Sequence, residues 1–210
     1  TEGFKLVTKL PAVPEGCVDV RAWVHGQASA SLNRLGVSSV YGMLLHRSEQ
    51  LLQPYGETLY QAILELQDAG KVQKTGVSIY SPAELDRLKS LYRFDLVQGP
   101  FNLIDRSLQT SGWLQRLKSE GVEVHTRSAF LQGLLLMKQS EIPRRFLPWK
   151  HLWLEWHQWL EKHDMTAVQT CLAFALSIPE IDRVVVGADS PEQLAQVVDA
   201  ANMDCRHDFP

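Results

Sequence analysis

Two polar residues stand at the ends of apolar runs, and they mark the first places to look for chemistry. Val40, Tyr41, Gly42, Met43, Leu44 and Leu45 run into His46, and the strand pattern beginning at Lys74 closes on Ser78. In parallel α/β architectures ligands sit outside the carboxyl ends of the strands, so an imidazole and a hydroxyl there are placed to meet one. Taken alone, a strand-end histidine is more often a hydrogen-bonded structural residue than a catalyst. Lys9, just before Leu10 and Pro11, ordinarily reads as a solvated lysine, and Gln98 and Asn102 as side chains that satisfy backbone groups in a turn. Metal chemistry is not favoured. His151, His157 and His163 recur every six residues, which spreads them around a helix, and Cys17, Cys171 and Cys205 are far apart and lack metal-ligand spacing.

The elements that must position these residues alternate. Strand patterns are expected at Phe4–Lys9, Val40–His46, Lys74–Ser78, Phe94–Gln98, Val122–Ser128 and Asp182–Gly187, the last as a buried strand. Helical patterns fill the spaces: Val18–Leu35 stopped by Gly36, Thr58–Ala69, a helix opened by Ser81, Pro82 and Glu84 in capping-box spacing and continued by Leu85, Leu88 and Leu91, then Ser111–Glu120, Leu152–His163, Thr166–Leu176, and Ser190–Ala201. An unbroken apolar strand followed by a helix and a second strand is the signature of a buried parallel sheet. Ala129–Lys150 has no clean period and carries Gly133, Pro143 and Pro148, so it reads as a long surface excursion of the kind used for a lid or binding loop. His125 and Arg127 fall on one face of their strand. Trp149, Trp153 and Trp156 form a helical stripe, with core packing the favoured use. Strand count and spacing fit a (β/α)8 barrel at roughly 31 residues per unit, lacking its first two units. A doubly wound sheet is the runner-up, without a Gly-rich dinucleotide fingerprint to support it.

The 210 residues, 45% hydrophobic, suffice for one domain spanning the chain. A formal charge of −3 gives no electrostatic case for nucleic acid or an anionic membrane. The odd, scattered cysteines suit a reducing compartment, and no apolar run approaches the roughly 20 residues of a membrane span. The expectation is a cytoplasmic protein with a small-molecule partner.

In order and spacing these strand ends resemble the aldo-keto reductase family over essentially the whole chain. The resemblance is carried by Leu6 to Lys9; by Ser31 to Val37 ahead of Leu44, Leu45 and His46; by Gly70, Lys71 and Val72 before Gly76, Val77 and Ser78; by Val97 and Gln98 with Phe101, Asn102 and Leu103; by Ser128, Ala129 and Phe130 with Gly133; and by Val184 to Gly187 with Pro191 and Glu192. It implies a barrel that holds an extended nicotinamide cofactor, NADP or NAD, and passes a hydride to an aldehyde or ketone carbon while a tyrosine gives a proton to the oxygen. It implies Lys9 as the lysine that lowers the tyrosine's pKa and His46 as the donor that orients the carbonyl. A buried ammonium favours phenolate, and an imidazole N–H polarises charge developing on oxygen. The same resemblance gives the nicotinamide carboxamide to Ser78 and Gln98, and the pyrophosphate-side loop to Ser128, Phe130 and Gly133.

The departures from the family pattern also carry expectations. No tyrosine precedes Lys9 and Tyr41 sits within a strand, so the chain is expected to be part of a longer enzyme that supplies the acid elsewhere. The alternative is a catalytically silent cofactor-binding subunit. Ile79 stands where an asparagine usually follows the serine. Arg127 stands where an aromatic ring commonly stacks on the nicotinamide, and its planar guanidinium is expected to stack instead. Gly187, Ala188, Asp189 and Gln193 replace the basic residues that many members set against a 2′-phosphate, which leaves the choice between NADP and NAD open.

Overall fold

Apolar runs too continuous for one buried face become strands covered on both. A computed structural model describes residues 3–203 and 209. Along the chain it forms β1 (Val7–Leu10), α1 (Val20–Leu35), β2 (Val40–Leu45), α2 (Gly56–Asp68), β3 (Val72–Ser78), α3 (Pro82–Leu88), β4 (Leu96–Pro100), α4 (Ser107–Thr110), α5 (Trp113–Ser119), β5 (Glu123–Arg127), α6 (Lys150–His163), α7 (Ala167–Leu176), β6 (Arg183–Val184) and α8 (Pro191–Ala201). The chain divides into two units, Thr1–Gly99 with Ser111–Val124, and Pro100–Thr110 with His125–Pro210.

In the first unit β1, β2, β3 and β4 pair parallel and in chain order. The start of β5 continues the series, its Glu123 N–H donating to Asp95 O at 2.9 Å. A doubly wound sheet would reverse direction partway, and this order does not. Met43, Leu44 and Leu45 are all buried, as an unbroken apolar run requires of a strand covered on both faces. Leu59, Ile63 and Leu66 of α2, Leu85 and Leu88 of α3, and Leu114 and Leu117 of α5 supply apolar helix faces to the core. The register sets Leu44 opposite Gly76 and Gly76 opposite Leu96. A side chain at Gly76 has no room, since a Cβ there would lie 1.9 Å from the Leu96 carbonyl oxygen.

The second unit holds the rest of β5, which pairs parallel with β6, and the helices α4, α6, α7 and α8. Phe101 stacks on Phe174 at 5.3 Å between centroids, and the Arg106 guanidinium lies 4.7 Å from the Phe174 ring. The excursion after β5 is three short 3-10 turns at Leu134–Leu136, Gln139–Glu141 and Arg144–Trp149. It is held to α6 by the Trp156 indole N–H, which donates to Leu135 O at 3.1 Å.

Four local expectations need correction. The run at Asp182–Gly187 is a two-residue strand at the edge of the sheet, and none of its residues is buried, since among the described residues it pairs on one side only and keeps the other edge open. β1 begins at Val7, after an exposed Phe4, and α3 ends at Leu88, leaving Leu91 exposed. Trp153 and Trp156 are buried as the stripe predicts, but Trp149 is half exposed because it lies in the 3-10 turn before α6 and points off the helical face.

Cys171 is fully buried on α7, and burial pushes its thiol up to about 12. At neutral pH roughly one molecule in 10⁵ then carries the reactive thiolate. Iodoacetamide treatment of the folded protein, read by peptide mass spectrometry, is expected to label the half-buried Cys17 and leave Cys171 unmodified until denaturant is added. Labelling of Cys171 at a comparable rate would contradict its packing. Cys205 lies outside the described residues.

Candidate active site

The parallel register decides which strand-end residues meet. Lys9 lies opposite Leu44, Leu44 opposite Gly76, and Gly76 opposite Leu96; two residues further, Ser78 lies opposite Gln98. Side chains alternate across a strand, and paired residues in a parallel ladder share a face. His46, two residues past Leu44, therefore projects on the same face as Lys9, Ser78 and Gln98, all at the carboxyl ends. The His46 N–H donates to Leu10 O at 3.1 Å, which keeps the chain in register just past the end of β2. Lys9 is half-buried and His46 exposed, whereas Ser78 is 1% and Gln98 4% exposed.

Buried polar side chains normally find partners, because an unmade hydrogen bond costs about 1–3 kcal/mol. Among the described residues the fully buried side-chain atoms left without one are Thr126 Oγ1 and Trp153 Nε1; the Ser78 hydroxyl and the Gln98 carboxamide are not among them. Together they present donors and acceptors on one face, the complement of a primary carboxamide. Ile79, by contrast, is fully buried, and its N–H donates to Gln98 O at 2.8 Å. The loops after His46 and Ser78 are tied together. Ser48, with no exposure, donates to Glu84 Oε2, while Glu84 Oε1 accepts from the N–H groups of Tyr80 (2.7 Å) and Ser81 (2.9 Å). The capping box legible in the sequence thus braces the rim that carries the polar residues.

A second polar cluster in the first unit lies at the other ends of the strands. Tyr41, near the start of β2, donates its phenol to Glu123, and Lys74 Nζ lies 2.5 Å from the same carboxylate. Burial works against the Lys74 charge, but Glu123 and Tyr41 outweigh it and hold the ammonium above its ordinary value. Tyrosine and lysine are side by side here, yet at the amino ends of the strands, where this architecture builds stability rather than catalysis.

In the second unit a pocket of about 630 Å³ opens between the loop after β5 and the turn before α8. Ser128, Phe130 and Gly133 line it from the loop, and Gly187, Asp189 and Gln193 from the turn and α8. These six were singled out from sequence; Ala188 and Arg127 were too, and they do not line it. Arg127 instead donates from Nη1 to Ser128 Oγ at 3.3 Å. Gln196, Val197 and Val168 also line the pocket and had no signal in the sequence, since helix-face residues belong to a wall only once the helix is docked.

The loop's backbone is strained. Ser128 (φ 63°), Leu131 (φ 47°) and Gln132 (φ 54°) all take left-handed conformations ahead of Gly133 at φ 85°. For residues with a Cβ this costs of order 1–3 kcal/mol each, and such strain persists only where neighbours over-determine it. They do here. Ser128 O accepts from Asn102 Nδ2 at 3.1 Å and from the Leu131 N–H at 2.9 Å, and Asn102 Oδ1 accepts from the N–H groups of Ile104 (3.0 Å) and Asp105 (2.9 Å). Asn102 thus does the turn-satisfying work that its residue type suggests. Two of the loop's amides are already used inside it, the Leu131 N–H donating to Ser128 O and the Gly133 N–H to Phe130 O, both at 2.9 Å.

No group of three or more His, Cys, Asp or Glu among the described residues is arranged to hold a metal ion, and no described helix is long and apolar enough to cross a membrane.

Three comparisons bear on this geometry. The model of the Aldo/keto reductase family matches residues 1–208. The NADH-specific methylglyoxal reductase of Escherichia coli is 23% identical over 201 residues, covering 86% of this chain and 60% of its own length. The L-glyceraldehyde 3-phosphate reductase of Escherichia coli is 26% identical over 213 residues, covering 90% and 61% respectively. The chain thus spans about three-fifths of the length of the curated relatives it matches. Among solved structures, an aldo-keto reductase from Bacillus halodurans in its holo form superposes with a TM-score of 0.75 at 19% identity, covering 97% of this chain and 68% of that one. A glycerol dehydrogenase from Gluconobacter oxydans gives 0.74 at 21% identity, covering 96% and 68%.

Proposed function

The chain belongs to the aldo-keto reductase family, and from that premise we propose that the protein reduces the carbonyl of a small aldehyde or ketone with a nicotinamide cofactor. The observation that carries the reading is the pair of nearly buried polar side chains, Ser78 and Gln98, on one strand face with Lys9 and His46. We read the parallel strands as the later units of a (β/α)8 barrel whose first two units are not in this chain, and the protein as cytoplasmic.

The donor set fits the cofactor. When bound, a reduced nicotinamide supplies a hydride. In the first unit Ser78 and Gln98 would hold its carboxamide; in the second, the Ser128–Gly133 loop would receive the pyrophosphate. Arg127, next to Ser128, lends positive charge at the end of β5. His46 directs an N–H at the carbonyl oxygen, where negative charge grows as the carbon is reduced. Lys9 places an ammonium beside the proton donor, lowering the pKa of a phenol toward working pH. No tyrosine stands ahead of Lys9 in this sequence, and the curated relatives extend well beyond the part that this chain matches, so we assign the phenol to a segment outside it. The relatives named for methylglyoxal and glyceraldehyde 3-phosphate favour short, oxygenated aldehydes as substrates.

The test has two readings. Protein fluorescence titrated with NADH and NADPH is expected to show binding, and Gln98→Ala to weaken it by about tenfold, the worth of one or two hydrogen bonds. Reduced cofactor is then expected to be consumed with a panel of short aldehydes. Binding without turnover by the full-length protein across the panel would sink the catalytic reading; unchanged affinity in Gln98→Ala would sink the carboxamide assignment.

A further inference from the structure

We propose that the strip formed by the Arg144–Trp149 turn and the start of α6 docks on the surface of an anionic phospholipid bilayer. This contact is independent of the cofactor reading above. Residues 142–154 hold Arg144, Arg145 and Lys150 and neither aspartate nor glutamate. The chain's overall charge of −3 gives no general attraction to an anionic surface, so the contact depends on this strip.

Local geometry brings cations and apolar residues together. In a 3-10 helix residues three apart eclipse, and in an α-helix residues four apart are neighbours. Arg144 and Leu147 are three apart in the turn, the Lys150 N–H donates to Leu147 O and continues that spacing, and Leu154 lies four further on along α6. Arg144, Leu147, Lys150 and Leu154 therefore form one stripe in which cation and leucine alternate, and all four are exposed. Arg145 and Trp149 adjoin it in the chain and are exposed too. Single leucines at a surface are ordinary, but Leu147, Trp149 and Leu154 are 57%, 51% and 41% exposed within two turns of one another, which makes a patch. The patch is fastened to the core. The half-buried Phe146 ring lies 6.3 Å from Trp149 and 6.2 Å from the buried Trp153 between centroids, and the Arg145 guanidinium lies 4.9 Å from the Phe146 ring. Among the described residues Arg144, Arg145 and Lys150 meet no carboxylate, so their charges face outward uncompensated.

A bilayer fits this mixture. Phosphate headgroups take the guanidinium and ammonium groups, while the leucines and the indole enter the acyl boundary beneath them, a depth at which tryptophan is favoured. Nucleic acid offers the leucines nothing, since bases stack on aromatic rings. An acidic protein would meet the cations, yet it needs a shaped apolar site for each projecting side chain, and the acyl boundary accepts them without one.

The experiment is co-sedimentation of the full-length protein with vesicles of phosphatidylcholine alone, or of phosphatidylcholine and phosphatidylglycerol in equal parts. Binding is expected to the second and not to the first, and to weaken as salt screens the charges. Each cation near an anionic surface is worth roughly fivefold, so Arg144→Gln combined with Arg145→Gln is expected to weaken binding by about 25-fold. Leu147→Ser combined with Trp149→Ser is expected to weaken it by about tenfold or more. Neither pair touches the strand-end residues, so cofactor affinity and the circular dichroism spectrum should match those of the parent. Absence of binding to the anionic vesicles, or binding unmoved by either pair, overturns the inference. Loss with the arginines but not with Leu147→Ser and Trp149→Ser marks charge attraction without insertion and overturns it as well. So does polyglutamate in solution binding the protein as tightly as the vesicles do, or a dimer in sedimentation velocity that the Leu147 and Trp149 substitutions dissociate.

Discussion

Replacing Lys9 with methionine is expected to lower kcat for aldehyde reduction by about 10²–10⁴-fold while leaving the affinity for NADH within about threefold. The geometry is specific on this point. Lys9 sits at the carboxyl end of β1 on the face it shares with His46, Ser78 and Gln98, one residue layer below the other three. In the proposed mechanism an ammonium there would act on the acid rather than on the cofactor's carboxamide, so chemistry should suffer and binding should not. The pH profile provides a second readout. The rate falls when the proton donor ionises; removing a neighbouring cation raises that donor's pKa, so the alkaline limb should move to higher pH in Lys9→Met. His46→Ala should also lower kcat, by about 10²–10³-fold, through loss of a donor to the developing oxyanion, but without moving that limb. Equal profiles for both variants, or a kcat within about threefold of the parent, would remove Lys9 from the mechanism.

Gly76→Ala is expected to destabilise the protein by about 3–5 kcal/mol, among the larger effects a single methyl group can have. The new Cβ would meet backbone, not the far end of a flexible side chain: it would lie 1.9 Å from Leu96 O, 2.7 Å from Leu96 C and 2.9 Å from Leu44 Cδ2. Relief requires β3 and β4 to separate, which breaks the register that puts Ser78 opposite Gln98. Cofactor affinity should therefore fall with stability. Gly133→Ala is the internal control. Its Cβ would meet nothing within 4 Å, so only the positive φ of 85° opposes it, at about 1 kcal/mol. Denaturant unfolding separates the two, and equal midpoints for both variants would mean that β3 and β4 are not this close.

These expectations show which parts of the molecule were legible beforehand. Val40–Leu45 could be read as a strand buried on both faces because its apolar run admits no exposed face, and the capping box at Ser81 and Glu84 could be read because its spacing is a local hydrogen-bond requirement. The positions of His46, Ser78 and Gln98 at strand ends followed from the same runs. Their polar termini are local facts.

What the tertiary structure decided was register, strain and exposure. That Ser78 and Gln98 lie opposite each other depends on how far β3 slides along β4, which no residue in either strand announces. The left-handed Ser128 runs against the preference of its residue type, and its carbonyl is held by Asn102, 26 positions earlier in the chain. The run Asp182–Gly187 looks like a buried strand in composition, yet none of its residues is buried, because burial depends on what packs against a strand and not on the strand itself. Sequence alone determined residue type, period and cap, since each is settled within a few residues by backbone sterics and hydrogen bonding. Pairing, wall and strain required contacts between distant segments, and those exist only once the chain has folded.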